Sequence, residues 1–246
     1  MRLARHGAGL HIEAHGHGPD ILLTHGFGAT SRMWDEQVEE FTSRFRLILW
    51  DLPGHGQSGL PRRPIGPDDM AAILNTADSR RAVLAGLGAG GLLSLRFWRA
   101  YPDRVRGLIL IGTIPGLRSD MARNIWNAQV ATQARALEED GVDALEGGAE
   151  ADPRLHNNPG DLAAAARMLL IRTDEDALPF LREIDVPVLI LAGGGDKPSL
   201  SAAGHMARTI PDARLVIVPR ANHAVTLHKP DAANAAIAEF LGRLPP

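Results

Sequence analysis

Short apolar runs alternate with longer amphipathic segments along most of the chain. The apolar runs predict strands at residues 10–13, 21–24, 47–52, 82–85, 105–111, 186–192 and 214–218. The amphipathic segments predict helices at 34–45, from the glycine-rich segment 86–91 to Ala100, and at 231–241. Continuous apolar runs are typical of strands buried on both faces of a parallel sheet. Alternation of strands and helices therefore predicts βαβ units around a mostly parallel, twisted sheet.

One stretch of the chain interrupts this alternation. Between Ile114 and Leu181 the pattern contains no credible strand, whereas 120–140 and 162–172 have the character of helices. We predict a core formed by 1–115 and 182–246, with 116–181 inserted as a small helical cap over the carboxyl edge of the sheet. Ligands of open α/β sheets bind at that edge, so the cap is expected to exclude water and shape the pocket.

Composition narrows the class of protein. The 246 residues, 45% of them hydrophobic, suit one large α/β domain. Net charge is −3 without a basic run, which argues against a nucleic-acid partner. With 0 cysteines, disulfides and thiolate chemistry are excluded. Residues 1–17 lack the apolar core of a signal peptide, and no apolar run approaches the roughly 20 residues of a membrane helix. We expect a cytoplasmic protein, a monomer or homodimer, that binds a small-molecule substrate and no membrane.

A glycine-rich turn follows the strand at 82–85. Gly86, Gly88 and Gly90 have the strand–turn–helix setting of the G-x-S-x-G nucleophile elbow, but the central position holds glycine. The central residue of such an elbow adopts a strained backbone, which glycine relieves. Gly88 therefore keeps the turn and lacks a nucleophile.

The same segment also spells G-x-G-x-x-G through Gly86, Gly88 and Gly91, which is a dinucleotide-binding fingerprint. That fingerprint belongs in the first βαβ unit, with an acidic residue about 20 positions further on. Here the motif follows a later strand, and the next strand ends at Gly112 without a carboxylate. We therefore disfavour nucleotide binding.

An aspartate and a histidine follow the last two predicted strands. Asp196 ends the turn that follows the strand at 186–192, and His223 follows the strand at 214–218. Taken alone, Asp196 is more simply explained as a turn residue that binds its own backbone, and His223 as a surface residue. Together with the elbow, they give the chain order nucleophile, Asp, His, which distinguishes one triad fold from others.

On these motifs, with Thr24 to Gly28 and Asp51 to Gly59, the chain resembles the α/β-hydrolases, of the small esterase and enol-lactonase type, over nearly its whole length. The resemblance implies that the N–H groups of Phe27 and Ala89 form an oxyanion hole. It also implies that Asp196 holds His223 as general base. His25 and His55 match positions that shape loops. No metal or organic cofactor is implied.

The departure from the family is Gly88, since members carry Ser there, sometimes Asp or Cys. Three explanations stay open: replacement of a native serine, a natural enzyme that uses only the His–Asp pair, and a protein that only binds a ligand. We predict hydrolysis of a small ester, lactone or activated carbonyl compound. The enzymatic alternative is a lyase or cyclase that uses the same pair without acyl transfer.

Other residues with chemical potential receive simpler interpretations. Ser31, Ser58 and Ser94 are poor substitutes for the nucleophile. Trp126 and Met168 are candidate substrate-binding residues in the cap, although helical residues of these types are more often core. His11, His15 and His17 alternate with other residues and suggest a metal site, but their spacing is loose compared with true zinc motifs. A solvated hairpin is therefore favoured.

Overall fold

The structure is a computed structural model that describes residues 1–145, 150–173 and 176–244. In the described part of the chain one sheet has the strand order β1-β2-β4-β3-β5-β6-β7-β8. Strands β1 and β2 pair antiparallel, as do β2 and β4, and the remaining pairs are parallel. The bounds are β1 Arg2–Arg5, β2 Ala8–His15, β3 Asp20–Thr24, β4 Arg46–Trp50, β5 Ala82–Leu87, β6 Val105–Ile111, β7 Val188–Gly193 and β8 Ala213–Val218.

Helices connect the strands and cover both faces of the sheet. The bounds are α1 Asp35–Phe41, α2 Pro67–Thr76, α3 Ala89–Ala100, α4 Asp120–Asp140, α5 Pro159–Leu170, α6 Lys197–Thr209, α7 Val225–His228 and α8 Pro230–Leu241. Short 3-10 turns lie at Ser31–Trp34, Pro102–Arg104, Gly141–Leu145, Pro153–Leu155 and Leu178–Glu183.

Alternate side chains of each central strand enter opposite layers of the core. On β6, Leu108 and Leu110 pack with the layer that contains α2, α3 and α6. Ile109 and Ile111 pack with the layer that contains α1 and α8. Both faces of these strands are buried because helices cover them, which is why the strands are continuously apolar in sequence. The predicted α/β fold, a mostly parallel sheet flanked by helices, is confirmed.

The hydrophobic pattern of the sequence misses or misplaces some elements whose local sequence preference is weak. The edge strand β1 and the helices α2 and α6 were not predicted, and α6 contains Gly204 and His205, which are poor helix formers. The predicted helix at 34–45 is shorter in the structure, because Ser31–Trp34 forms a 3-10 turn and α1 ends at Phe41. There the amides of Arg44 and Phe45 both donate to Phe41 O and close a turn.

Residues 116–181, predicted as a cap, contain α4, α5 and short 3-10 turns, and no strand among the residues that are described there. Helix α4 begins after Ser119, whose side chain accepts from Ala122 N–H. Helix α5 begins earlier than predicted, at Pro159, because Asn158 caps it. Helices α4 and α5 pack against each other. No helix in the described ranges is long and apolar enough to cross a membrane.

Candidate active site

The turn between β5 and α3 has the geometry of a nucleophile elbow. Gly88 has φ 53° and ψ −109°, in the left-handed half of backbone space that side chains rarely adopt. Its N–H donates to Ile111 O of the neighbouring strand at 2.9 Å. The bend is therefore fixed to the sheet edge and does not depend on a side chain at this position.

The other glycines of this turn are required by internal packing. A Cβ on Gly86 would overlap the backbone of Gly90, and a Cβ on Gly90 would overlap Thr24 O. A Cβ on Gly91 would overlap the Thr113 hydroxyl. These close approaches between α3 and the sheet account for the G-x-G-x-x-G spelling without a bound nucleotide.

Two backbone hydrogen bonds join the loops that carry Asp196 and His223. Gly194 N–H donates to Val218 O at 2.9 Å, and Gly195 N–H donates to Ala221 O at 2.8 Å. With the loops held together, His223 Nδ1 and Asp196 Oδ2 are hydrogen-bonded at 2.7 Å. An N–H on Nδ1 leaves Nε2 as the free acceptor, which is the arrangement a general base requires.

The free nitrogen of His223 faces Gly88. A Cβ on Gly88 would lie 3.1 Å from His223 Nε2. Gly112 makes this placement possible, because a Cβ there would lie 2.7 Å from His223 Cε1. The structure therefore brings Gly88, Asp196 and His223 together, with the free ring nitrogen directed to the central residue of the turn.

Phe27 and Ala89 border the same space. Both line the cavity next to Gly88 and His223. Ala89 is the first residue of α3, so its N–H has no acceptor within the helix. That their backbone N–H groups form an oxyanion hole stays a prediction.

Two buried histidines hold the loop that contains Phe27. His25 Nε2 accepts from Leu52 N–H at 2.8 Å, and His55 Nε2 accepts from Gly28 N–H at 3.1 Å. Burial lowers the pKa of His25 to about 3, and burial together with the neighbouring His25 lowers the pKa of His55 well below its usual value. Both rings are therefore neutral near pH 7 and serve as fixed hydrogen-bonding groups.

Opposing effects set the pKa of His223. Burial lowers it, but the hydrogen bond to Asp196 and the negative charges of Glu150 and Asp196 outweigh burial, so the pKa is raised. For Asp196, burial raises the pKa, but hydrogen bonds from His223 and Ser199 outweigh this effect and the pKa is lowered. The pair therefore favours a carboxylate beside an imidazole that readily accepts a proton.

A cavity of about 390 Å³ opens in front of the elbow, between the sheet edge and α4. Most of its described lining is apolar or amide, and the titratable side chains are Glu150, Arg172 and His223. The lining residues are Phe27, Gly88, Ala89, Gly112, Ile114, Trp126, Gln129, Val130, Gln133, Ala144, Leu145, Glu150, Ala151, Leu170, Arg172 and His223. No serine or threonine occurs among these described residues.

The two candidate substrate-binding residues between 116 and 181 occupy different environments. Trp126 lines the cavity, and its indole N–H donates to Leu170 O at 2.7 Å. Met168 is absent from the described lining and packs against the hydrophobic core of the cap side. The structure therefore places Trp126, but not Met168, where a substrate would be contacted.

The alternative hydroxyls have local partners away from this cavity. Ser94 Oγ donates to Gly90 O at 2.9 Å, and Ser58 Oγ donates to Asp51 O at 2.6 Å. Ser31 is buried in the turn before α1. None of these serines lines the cavity, and no residue of its described lining carries a hydroxyl that could replace the nucleophile.

The histidines of β2 make a local hydrogen-bonded cluster with Glu13. His11 and His15 both bond to Glu13, at 2.6 and 3.0 Å, and His17 lies exposed beyond the strand. Across the described ranges no group of three His, Asp or Glu side chains has the arrangement of a metal site.

Sequence reasoning missed Glu150 and Arg172, which bring both signs of charge into the cavity. Burial raises the pKa of Glu150, although the adjacent His223 opposes this effect. Arg172 lies just after α5, and the prediction assigned it only to a helix end. Neither residue stood out in the sequence, because Asp152 and Arg154 follow Glu150 closely and Asp176 follows Arg172.

The comparisons with known proteins agree with this fold. Residues 21–236 match the alpha/beta hydrolase family, and the chain belongs to that family. It is 30% identical to a pimeloyl-[acyl-carrier protein] methyl ester esterase of Nitrosomonas europaea, over 91% of this chain and 96% of the relative. It is 27% identical to a putative 2-succinyl-6-hydroxy-2,4-cyclohexadiene-1-carboxylate synthase of Bacillus subtilis, over 90% of this chain and 89% of the relative.

Among solved structures, a thermophilic esterase from Thermogutta terrifontis in a malate-bound form matches with a TM-score of 0.84. It is 29% identical, and the match covers 99% of this chain and 98% of the esterase. Relatives of this kind support a hydrolase role.

Proposed function

We propose that the protein hydrolyses a small ester, lactone or activated carbonyl compound by direct attack of water, without an acyl-enzyme. The observation that carries the proposal is the direction of His223 Nε2, which lies 3.1 Å from the position of a Cβ on Gly88. A hydrogen bond from an oxygen to an imidazole nitrogen has about this length. The space that glycine leaves suits a water molecule bound to the base.

The proposed step uses groups that surround this space. His223 Nε2 takes a proton from water, and the water oxygen bonds to the substrate carbonyl carbon. The carbonyl electron pair moves to oxygen, where the N–H groups of Phe27 and Ala89 stabilise it. The tetrahedral intermediate then expels its leaving group, which receives the proton from His223. Asp196 keeps the ring oriented and stabilises its cationic form.

A lyase or cyclase reaction is the second candidate, and the Bacillus subtilis relative named as a putative synthase supports it. In that reaction His223 would take a proton from the substrate, and no water oxygen would enter the product. Turnover in ¹⁸O-labelled water separates the two. Hydrolysis places one labelled oxygen in the acid product, whereas a lyase or cyclase leaves the product unlabelled.

Two variants of Gly88 test the water route. Gly88→Ala and Gly88→Ser share the strain of a side chain at positive φ, about 1–3 kcal/mol, and differ by one oxygen. We expect the native protein to turn over p-nitrophenyl esters without reacting with a fluorophosphonate probe. Gly88→Ala should slow turnover because its methyl group fills the space before Nε2. Gly88→Ser should gain labelling and a burst of p-nitrophenol.

His223→Ala supplies the test of the base. We expect it to slow ester turnover by about 10²–10⁴-fold, the usual contribution of a general base. Full activity in His223→Ala would contradict the assignment, and fluorophosphonate labelling of the native protein would show that another nucleophile acts. Ligand affinity without turnover in any assay would favour the binding-only explanation. A large gain in Gly88→Ser would favour a replaced serine.

A further inference from the structure

A buried arginine borders the cavity from the segment after α5. Arg172 lines the cavity and keeps only 5% of its surface exposed. Within the described part of the chain, its Nε and Nη1 atoms have no hydrogen-bond partner. A buried cation with unsatisfied donors is costly to a fold unless a partner binds it.

The arginine is held in one position by two neighbouring residues of α4. Asn127 clamps its backbone, accepting from Arg172 N–H at 2.9 Å and donating to Arg172 O at 3.1 Å. The guanidinium carbon lies 5.1 Å from the centre of the Trp126 ring, a cation–π distance. The hydrogen bond from Trp126 to Leu170 O fixes the ring in turn. Arg172 is therefore preorganised rather than free to reach solvent.

The nearby carboxylates form no hydrogen bond with Nε or Nη1 of Arg172. Asp176 is the carboxylate that acts on Arg172, and its own ion pair is with Arg96 at 3.5 Å. Different carboxylates, Glu150 and Asp196, act on His223. The cavity lining thus contains the proposed base, His223, and a separate cation, Arg172, with different charged neighbours.

We propose that Arg172 is the binding site for a free carboxylate on the substrate. The planar fork of guanidinium donors matches a carboxylate through two parallel hydrogen bonds. The inference rests on the proposed function and narrows its substrate class to esters or activated carbonyl compounds that carry a second, ionised carboxyl group. The cavity of about 390 Å³ suits such a small two-ended molecule.

Binding of two esters that differ in one charge tests this site. Monomethyl glutarate carries a free carboxylate, whereas dimethyl glutarate does not. We would titrate both by calorimetry into His223→Ala, so that the result does not depend on turnover. Adding Arg172→Met should weaken binding of monomethyl glutarate by about 10–100-fold, since hydrogen bonds to charged groups contribute about 1.5–3 kcal/mol. Binding of dimethyl glutarate should stay the same.

Further variants separate charge, geometry and folding. Arg172→Lys should recover part of the preference, since lysine keeps the charge and lacks the fork. Asn127→Ala, which releases the clamp and keeps the guanidinium, should weaken monomethyl glutarate binding less than Arg172→Met does. Arg167→Met is the matched control, because Arg167 pairs with Glu138 on the exposed side of α5 and should leave both affinities unchanged.

Three results would overturn the carboxylate site. The first is equal affinity of His223→Ala, with Arg172 intact, for the two esters. The second is an equal loss of affinity for both esters when Arg172→Lys is added. The third is stronger displacement of monomethyl glutarate by inorganic phosphate than by glutarate. None of these depends on hydrolysis. A charge preference that needs Arg172 would support the site even if native turnover proved not to require His223.

Discussion

At the scale of single residues, the cavity lining contains a base, His223, and a carboxyl group, Glu150, and each shifts the pKa of the other. Glu150 is among the negative charges that raise the pKa of His223. Burial raises the pKa of Glu150, while the charge on His223 opposes this. His223 must be neutral to act as a base, so a raised pKa restricts activity at low pH. Together with Asp196, Glu150 thereby raises the lower pH limit of the proposed reaction.

We therefore expect Glu150→Gln to shift the acidic limb of the pH–rate profile to lower pH. Removal of the negative charge lowers the pKa of His223, and the imidazole then stays neutral further into the acid range. The profile of kcat/KM for a neutral ester, measured from pH 5 to 9, checks this shift. Glu138→Gln, on the surface of α4, is the control and should leave the limb in place. An acidic limb that moves upward in Glu150→Gln would contradict the coupling.

At the scale of elements, the rule that parallel strands present their carboxyl ends at one edge explains what sequence could predict. The apolar runs located β5, β7 and β8, and Gly88, Asp196 and His223 each follow one of these strands. Their convergence therefore follows from the strand pattern and chain order. Even without a side chain at Gly88, the flanking glycines retained the signal of the elbow.

No comparable rule applies to residues 116–181, which the sequence predicts as a cap. Arg172 and Glu150 lie in connections between helices, and their positions depend on how α4 and α5 pack. Helical periodicity indicates an apolar face but not the partner of that face. Met168 was therefore as plausible a lining residue as Trp126 in sequence, and the clamp between Asn127 and Arg172 could not be foreseen. The convergence of Gly88, Asp196 and His223 could therefore be predicted from the sequence, whereas the cavity-lining residues between 116 and 181 could not.

A buried histidine connects the segment before α5 to the loop that contains Phe27. His156 Nε2 bonds to Gly28 O at 2.8 Å, and its Nδ1 accepts from Gly56 N–H at 3.3 Å. We expect His156→Ala to lower the free energy of unfolding by about 1–3 kcal/mol, because it leaves buried backbone groups unpaired. It should also lower kcat, because the Phe27 N–H loses its support.

Urea unfolding and steady-state kinetics measure the two effects of His156→Ala separately. The matched control is His17→Ala, since His17 is exposed in the turn after β2 and should change neither quantity. Unchanged kcat in folded His156→Ala would show that the segment before α5 does not position the proposed oxyanion hole.

At the scale of the whole molecule, the buried histidines make the fold sensitive to acid. His25 and His55 are fully buried, and burial is the first cause that lowers the pKa of each. The unfolded chain binds protons at these residues near the ordinary pKa of about 6.5, whereas the folded chain does not. Folding stability is therefore complete above that pH and decreases as pH falls. For His25 the decrease continues to about pH 3, its pKa in the folded state.

His223 acts in the opposite direction. Its folded-state pKa is raised, so its contribution is present below its unfolded pKa and is lost as pH rises through the folded value. Below its ordinary pKa of about 6.5, His223 holds its proton in both states and adds no slope. Because His25 and His55 gain protons only on unfolding, we expect the free energy of unfolding to fall steadily between about pH 6.5 and 4. The slope should correspond to uptake of about one to two protons on unfolding.

Urea titrations at several pH values measure this slope directly. In His25→Asn the acid-dependent loss should be smaller, since asparagine keeps a polar side chain near the Leu52 amide and does not titrate. His17→Asn changes an exposed ring and should retain the native slope. A native slope of zero, or an identical slope in His25→Asn, would mean that the His25 ring is protonated inside the fold. A charged ring there could not accept the hydrogen bond from Leu52 N–H at 2.8 Å, so the loop before Phe27 would have to be held in another way.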